Sequence, residues 1–187
     1  MIVWRAKDFS ARFLQPTLPR FLLALASLAI AGNALASMSG EVMVGGQLRE
    51  ARLFSVSGPP RMLSSFRGKP LIINVWASWC GPCRQEMGSL QRLSKIDLRK
   101  QFNVIGISID DDAIAATEFV SKAELTFDNF VDHKLVLETM LGANTVPLTL
   151  LVDANGRVRA RIRGSHNWTS PASIALVEKT LGFHISR

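Results

Sequence analysis

Three runs of apolar, β-favouring residues frame this 187-residue chain: LIINVWA at 71–77, NVIGISI at 103–109 and PLTLLVD at 147–153. None alternates between wet and dry positions, which marks strands covered on both faces. Such strands need helices above and below them, and the intervening sequence can supply these. From about Gly81 to Gln101, Met87, Leu90 and Leu93 form one apolar stripe, with Arg92, Lys95, Arg99 and Lys100 facing away. DDDAIAATEFVSKA opens with acids and then turns amphipathic, as a helix start does. KLVLETMLG is a further short helical piece. Ala154-Asn155-Gly156 is a tight turn leading into RVRARIR at 157–163, an alternating strand with one wet face. Ser170 and Pro171 fit the N-cap and first position of a C-terminal helix. The weak alternation of ARLFSVSG places a loose hairpin within 37–69. The resulting order specifies an α/β domain, a mixed sheet with helices on both faces and an N-terminal β-hairpin extension.

The first 36 residues differ in character. Arg5, Lys7, Arg12 and Arg20 precede the uncharged run FLLALASLAIA at 21–31, and Ala34-Leu35-Ala36 offers a cleavage site. A basic region, a short apolar core and small residues at the cut read as a secretory signal peptide. The alternative is an uncleaved membrane anchor, although a span needs roughly 20 apolar residues. The division is therefore 1–36 leader and 37–187 folded domain, exported to the periplasm or held there at the inner membrane. Without the leader the net charge falls from +7 to +4. That is too mild a balance to indicate a nucleic-acid partner.

The chain has two cysteines, Cys80 and Cys83, separated by Gly81-Pro82. Export permits disulfides. A pair three residues apart closes a minute loop and removes little entropy from the unfolded chain, so it makes a poor staple. A structural zinc needs four ligands, and His133, His166 and His184 show no ligand spacing with the cysteines. No metal site and no cofactor are expected. Where a strand ends and a helix begins, Cys80 lies at the positive end of the helix dipole beside unpaired N–H groups, both of which favour its thiolate. Cys83 follows one turn later, and Pro82 fits the first turn because its missing N–H costs nothing there. The arrangement suits two-step thiol–disulfide exchange, with Cys80 attacking and Cys83 resolving.

FRGKPLIINVWASWCGPCRQEM, NVIGISIDDD, NTVPLTLLVDANGRV and RGSHNW together resemble exported thioredoxin-like proteins of the TlpA/ResA/DsbE type, over about residues 65–182. The resemblance implies a thioredoxin fold and a protein-disulfide oxidoreductase. It makes Cys80 the exposed nucleophile, Cys83 the buried resolving cysteine and Trp79 the aromatic beside them, with Gly81 and Pro82 completing the substrate-facing turn. It also implies that Val146-Pro147 is a cis pair facing the disulfide, whose backbone pairs with a substrate peptide. By sequence alone a trans proline opening an edge strand is the simpler reading. Thioredoxin keeps a buried aspartate beneath its cysteines, where this chain has Asn74. In the ResA-like branch the acid follows the next strand, which points to Asp111, with Asp110 beside it; either could serve as a base if burial raised its pKa. These acids could equally cap a helix. Gly88 stands where thioredoxins have a helix-kinking proline.

The resemblance further implies protein disulfides as substrates, apocytochrome c in the lead, and a membrane thiol donor of electrons; with no dimerisation segment evident between Ala36 and the core, a monomer is expected. Disulfide oxidation or isomerisation, and a non-catalytic Cu(I)-binding or chaperone module, are the competing functions. Arg157, Arg159, Arg161 and Arg163 read as a solvated strand face or as a strip for an acidic partner. Trp168 reads as a core aromatic or a partner contact.

Overall fold

A computed structural model describes residues 40–96 and 99–185; the leader assigned to 1–36 lies outside the described residues. The elements are β1 (Arg52–Ser55), β2 (Arg61–Met62), β3 (Leu71–Trp76), α1 (Gly81–Ile96), β4 (Asn103–Ser108), α2 (Ala113–Lys122), β5 (Asp128–Val131), α3 (Val136–Leu141), β6 (Leu148–Val152), β7 (Val158–Arg163) and α4 (Pro171–Leu181). The strands form one sheet in the order β2-β1-β5-β4-β3-β6-β7. β4 pairs in parallel with β3 and β5, and the remaining pairings are antiparallel.

All six residues of β3 and all five of β6 are buried, as unbroken apolar runs require. Ile73 and Val75 project into one core with Leu53, Ile107, Phe130, Leu150 and the α3 residues Leu137, Met140 and Leu141. Ile72 and Trp76 project into the other, with Met87, Leu90 and Leu93 from α1, Ala116 from α2, and Ile174 and Val177 from α4. Each fully buried leucine on α1 contributes about 1.5–3 kcal/mol by leaving water, which is what holds that helix to the sheet. Asp112 caps α2 by accepting the Ile114 N–H, and Ser170 caps α4 by accepting the Ser173 N–H.

The N-terminal hairpin is present as β1 and β2. α1 is shorter than its amphipathic pattern indicated and ends at Ile96, with basic Lys95 in the last turn. β5 was not anticipated. Its sequence, DNFV, is four residues long and half polar, and it is a strand because it lies between β1 and β4. Gly106 on β4 has its own reason. A Cβ there would come within 2.0 Å of Asn129 Oδ1 and 2.8 Å of Trp76 Nε1, so only glycine lets these side chains cross the strand.

Candidate active site

Cys80 and Cys83 are joined as a disulfide where β3 has ended and α1 begins. Cys80 stands immediately before the first helical residue, Gly81, and its sulfur accepts the Cys83 N–H at 3.2 Å. That is an N-cap bond made by sulfur, and it satisfies one of the donors a helix start leaves open. Pro82 occupies the first turn without losing a bond. Cys83 is fully buried and Cys80 retains 5% exposure. Cys83 is the more deeply covered of the two, and in the disulfide form Cys80, expected to be exposed, is buried with only a narrow window to solvent. Trp79 beside it is 68% exposed, and Gly81 and Pro82 are exposed as well.

Across from the disulfide, Val146-Pro147 is cis. The Val146 carbonyl oxygen lies 3.7 Å from Cys80 Sγ. The structure thus brings together Trp79, Cys80, Gly81, Pro82, Cys83, Val146 and Pro147. It does not bring Asp111 among them. Asp111 is exposed and lacks the burial on which a base role depended, so that assignment is corrected. The buried neighbour is Asp110. Its carboxylate accepts the Ser78 N–H at 3.0 and 3.1 Å, the Ser78 hydroxyl at 2.8 Å and the Ser108 hydroxyl at 2.6 Å. Asp110 therefore anchors the loop that carries Trp79 and Cys80, tying it to the end of β4.

A second acid lies deeper. Glu86 is on α1 three residues after Cys83, on the same buried face, and is 1% exposed. One carboxylate oxygen accepts from Asn74 Nδ2 at 2.7 Å. The other accepts the His166 N–H at 3.0 Å and Trp168 Nε1 at 3.1 Å. Burial pushes the Glu86 carboxyl above its ordinary range, and the three donors, led by the His166 N–H, pull it part of the way back. Asn74, where thioredoxin has its aspartate, also donates to Thr149 Oγ1 at 3.0 Å across the sheet. Trp168 is a core residue whose ring N–H reaches Glu86, which resolves its two readings. The signal for Glu86 was in the sequence, since it precedes Met87 on the stripe that continues to Leu90 and Leu93. A charged residue on an apolar stripe is rarely buried without partners.

The arginine row is not uniformly solvated. Arg157, Arg159 and Arg163 are exposed, but the Arg161 side chain is covered, forming an ion pair with Glu41 and donating to the Val42 and Leu141 carbonyls. The strand turns Arg161 toward the N-terminal segment, so reading it as solvent-facing is corrected.

Among the described residues, no helix is long and apolar enough to cross a membrane. Residues 43–177 match the Redoxin family model. The thiol:disulfide interchange protein DsbE of Vibrio cholerae is 34% identical over 146 residues, covering 75% of this chain and 77% of that protein. The thiol-disulfide oxidoreductase ResA of Geobacillus thermodenitrificans is 27% identical over 124 residues, 66% of this chain and 71% of that one. Among solved structures, a candidate thiol:disulfide interchange protein DsbE from Chlorobium tepidum superposes with a TM-score of 0.67 at 25% identity, covering 75% of this chain and 96% of that one. A secreted Mycobacterium tuberculosis disulfide oxidoreductase homologous to Escherichia coli DsbE gives a TM-score of 0.59 at 25% identity, covering 70% and 93%. With a cysteine pair at a helix start, a cis proline opposite it, and this match across most of its length, the chain belongs to the Redoxin family and is a thiol-disulfide oxidoreductase of the ResA and DsbE type with a thioredoxin fold.

Proposed function

We propose that the protein is exported by its N-terminal segment and reduces disulfides of other exported proteins, apocytochrome c foremost, with electrons from a membrane thiol donor. The observation that carries the exchange chemistry is the capping bond from the Cys83 N–H to Cys80 Sγ at the start of α1. In the reduced protein that N–H and the helix dipole stabilise a Cys80 thiolate. The thiolate attacks one sulfur of the partner's disulfide, forms a mixed disulfide and expels the partner's other sulfur as a thiolate. Cys83 then attacks Cys80 Sγ, closes the internal disulfide and releases the partner's second thiol. Two electrons pass to the partner, and the donor returns two to the Cys80–Cys83 pair. Trp79, Gly81 and Pro82 face the incoming chain, and the Val146 carbonyl accepts one of its N–H groups, as in strand addition. In this reading Glu86, one turn beyond Cys83 on the buried face, receives the Cys83 proton when the resolving thiolate forms.

Gly-Pro between the cysteines supports the reducing direction: it is the dipeptide of thioredoxin, whose potential is about −270 mV against about −120 mV for the oxidant DsbA, and it contributes to that value without fixing it. Two measurements test the proposal. Cys83→Ala expressed in cells should accumulate as mixed disulfides with exported proteins containing cysteine pairs. Equilibration with glutathione should place the wild-type couple nearer the thioredoxin value. Trapping by Cys80→Ala instead of Cys83→Ala would reverse the two roles, and a potential close to that of DsbA would refute the reducing direction.

A further inference from the structure

Two arginines of β7 converge on the loop that ends at the site. Arg163 donates through Nη1 to Asn144 Oδ1 and to Thr145 Oγ1, both at 3.1 Å, and through Nη2 to the Gly142 carbonyl at 3.2 Å. Arg161 approaches the same loop from behind, donating through Nη2 to the carbonyls of Leu141 at 2.9 Å and Gly142 at 3.2 Å. The next residue after β7 completes the hold, because the Gly164 N–H donates to the Pro147 carbonyl at 3.0 Å. Residues 141–147 are therefore fixed to β7 at both ends, and Val146, whose carbonyl faces Cys80, lies between the anchors. Asn144 and Thr145 are exposed and belong to no helix or strand. What orients them is the guanidinium fork, a planar group whose N–H bonds point in fixed directions.

We propose that Arg163, backed by Arg161, is a positioning residue for substrate binding: it fixes the 142–145 loop so that Val146 presents its backbone to an incoming peptide next to Cys80. The proposal rests on the reading that the Val146 carbonyl pairs with the substrate chain. Arg163 touches neither the disulfide nor the substrate in this reading. It acts on the affinity of a substrate that has a backbone to pair, and leaves the thiol chemistry alone. A misplaced binding edge makes poorer backbone hydrogen bonds to the substrate chain, which weakens its binding without changing the reacting groups.

The test compares two substrates reduced by the full-length protein, with dithiothreitol as electron source. Insulin presents peptide backbone beside its disulfides, and hydroxyethyl disulfide presents none. For Arg163→Ala the KM for insulin should rise about tenfold, equivalent to about 1.4 kcal/mol of lost binding, with kcat within about twofold. The rate with hydroxyethyl disulfide and the equilibrium with glutathione should not change. Arg163→Lys, a point charge without the fork, should share the defect. Asn144→Ala with Thr145→Val removes two acceptors from the loop side and should raise KM in the same way, and it carries the test should the arginine variant fold poorly. Combined with Arg163→Ala it should add nothing further. An unchanged KM for insulin, equal losses on both substrates, a shifted glutathione equilibrium, or additive effects in the combined variant would overturn the inference while leaving the exchange reaction standing. Wild-type protein unable to reduce insulin at all would overturn the functional reading and this inference with it.

Discussion

Replacing Glu86 separates the energetic roles of its carboxylate. The side chain is almost fully buried and accepts from Asn74 Nδ2, the His166 N–H and Trp168 Nε1. In Glu86→Leu all three lose an acceptor. Asn74 Nδ2 keeps Thr149 Oγ1, and the half-buried His166 backbone can turn to water, but Trp168 Nε1 stays in the core without a partner. At about 1–3 kcal/mol for each stranded buried donor, and with the desolvated carboxylate gone, the net loss should be about 2 kcal/mol. Glu86→Gln differs. One oxygen remains for His166 and Trp168, and rotation of the Asn74 amide lets the new amide donate to Asn74 Oδ1; Asn74 Nδ2 then leaves Thr149 for the buried position where Oδ1 has no partner, a cost offset by removal of the desolvated carboxylate. Its stability at neutral pH should lie within about 1 kcal/mol of wild type.

The pH dependence gives the sharper discrimination. Burial raises the folded-state pKa of Glu86 above its ordinary value, so the native protein holds that proton more tightly than the unfolded chain. The stabilisation is complete below the unfolded value and is lost as pH rises through the folded one. Urea unfolding of the disulfide form between about pH 4 and 8 should therefore show wild type losing stability relative to Glu86→Gln across that window, with unchanged m values. Parallel curves for the two proteins, or a Leu variant as stable as wild type, would refute this account of the carboxylate.

Two glycines should respond in opposite directions. Gly106→Ala drives a methyl group into Asn129 Oδ1, and Asn129 is buried and tied through Nδ2 to the Phe127 carbonyl at 2.9 Å. Chemical denaturation should show a loss of about 1–3 kcal/mol or more, as overpacking does. Gly88→Ala places a methyl group on the exposed side of α1, no closer than 3.6 Å to Arg92 Nη1. It should stabilise by up to about 1 kcal/mol and raise Tm by about 2–4 °C in a thermal scan.

Strands β3, β4 and β6 were legible because unbroken apolar runs have one common use in a sheet covered on both faces. β5 was not, because Asp128 and Asn129 carry no strand signature and their pairing is decided by β1 and β4, which lie far away in the sequence. The site divided the same way. Strand, cysteine pair and helix follow one another within a few residues, so local geometry located Cys80 and Cys83 at the strand-to-helix junction where they lie. The acids were harder. Asp110 and Asp111 differ by one position at the end of a strand, and that single step decides which is covered and which faces water. Glu86 meets Trp168 across 82 residues and Asn74 across 12, partnerships that only the folded sheet reveals. Arg161 was misread because alternation gives the side of a strand a residue is on, without revealing that another segment lies over it.

Gly142 closes α3 in a left-handed turn, and a side chain there would run into Glu41, which pairs with Arg161. Glu41 and Val42, near the start of the domain, thus share one crowded corner with the loop that leads to the cis proline. A shortened form of the chain beginning at Gly40 keeps this corner whole. One beginning at Val42 deletes the carboxylate, leaves the Arg161 guanidinium with neutral carbonyl acceptors and no counter-charge, and should loosen a loop whose far end faces the disulfide. Where the chain is cut upstream therefore has consequences for how firmly a substrate is gripped at the opposite end of that loop.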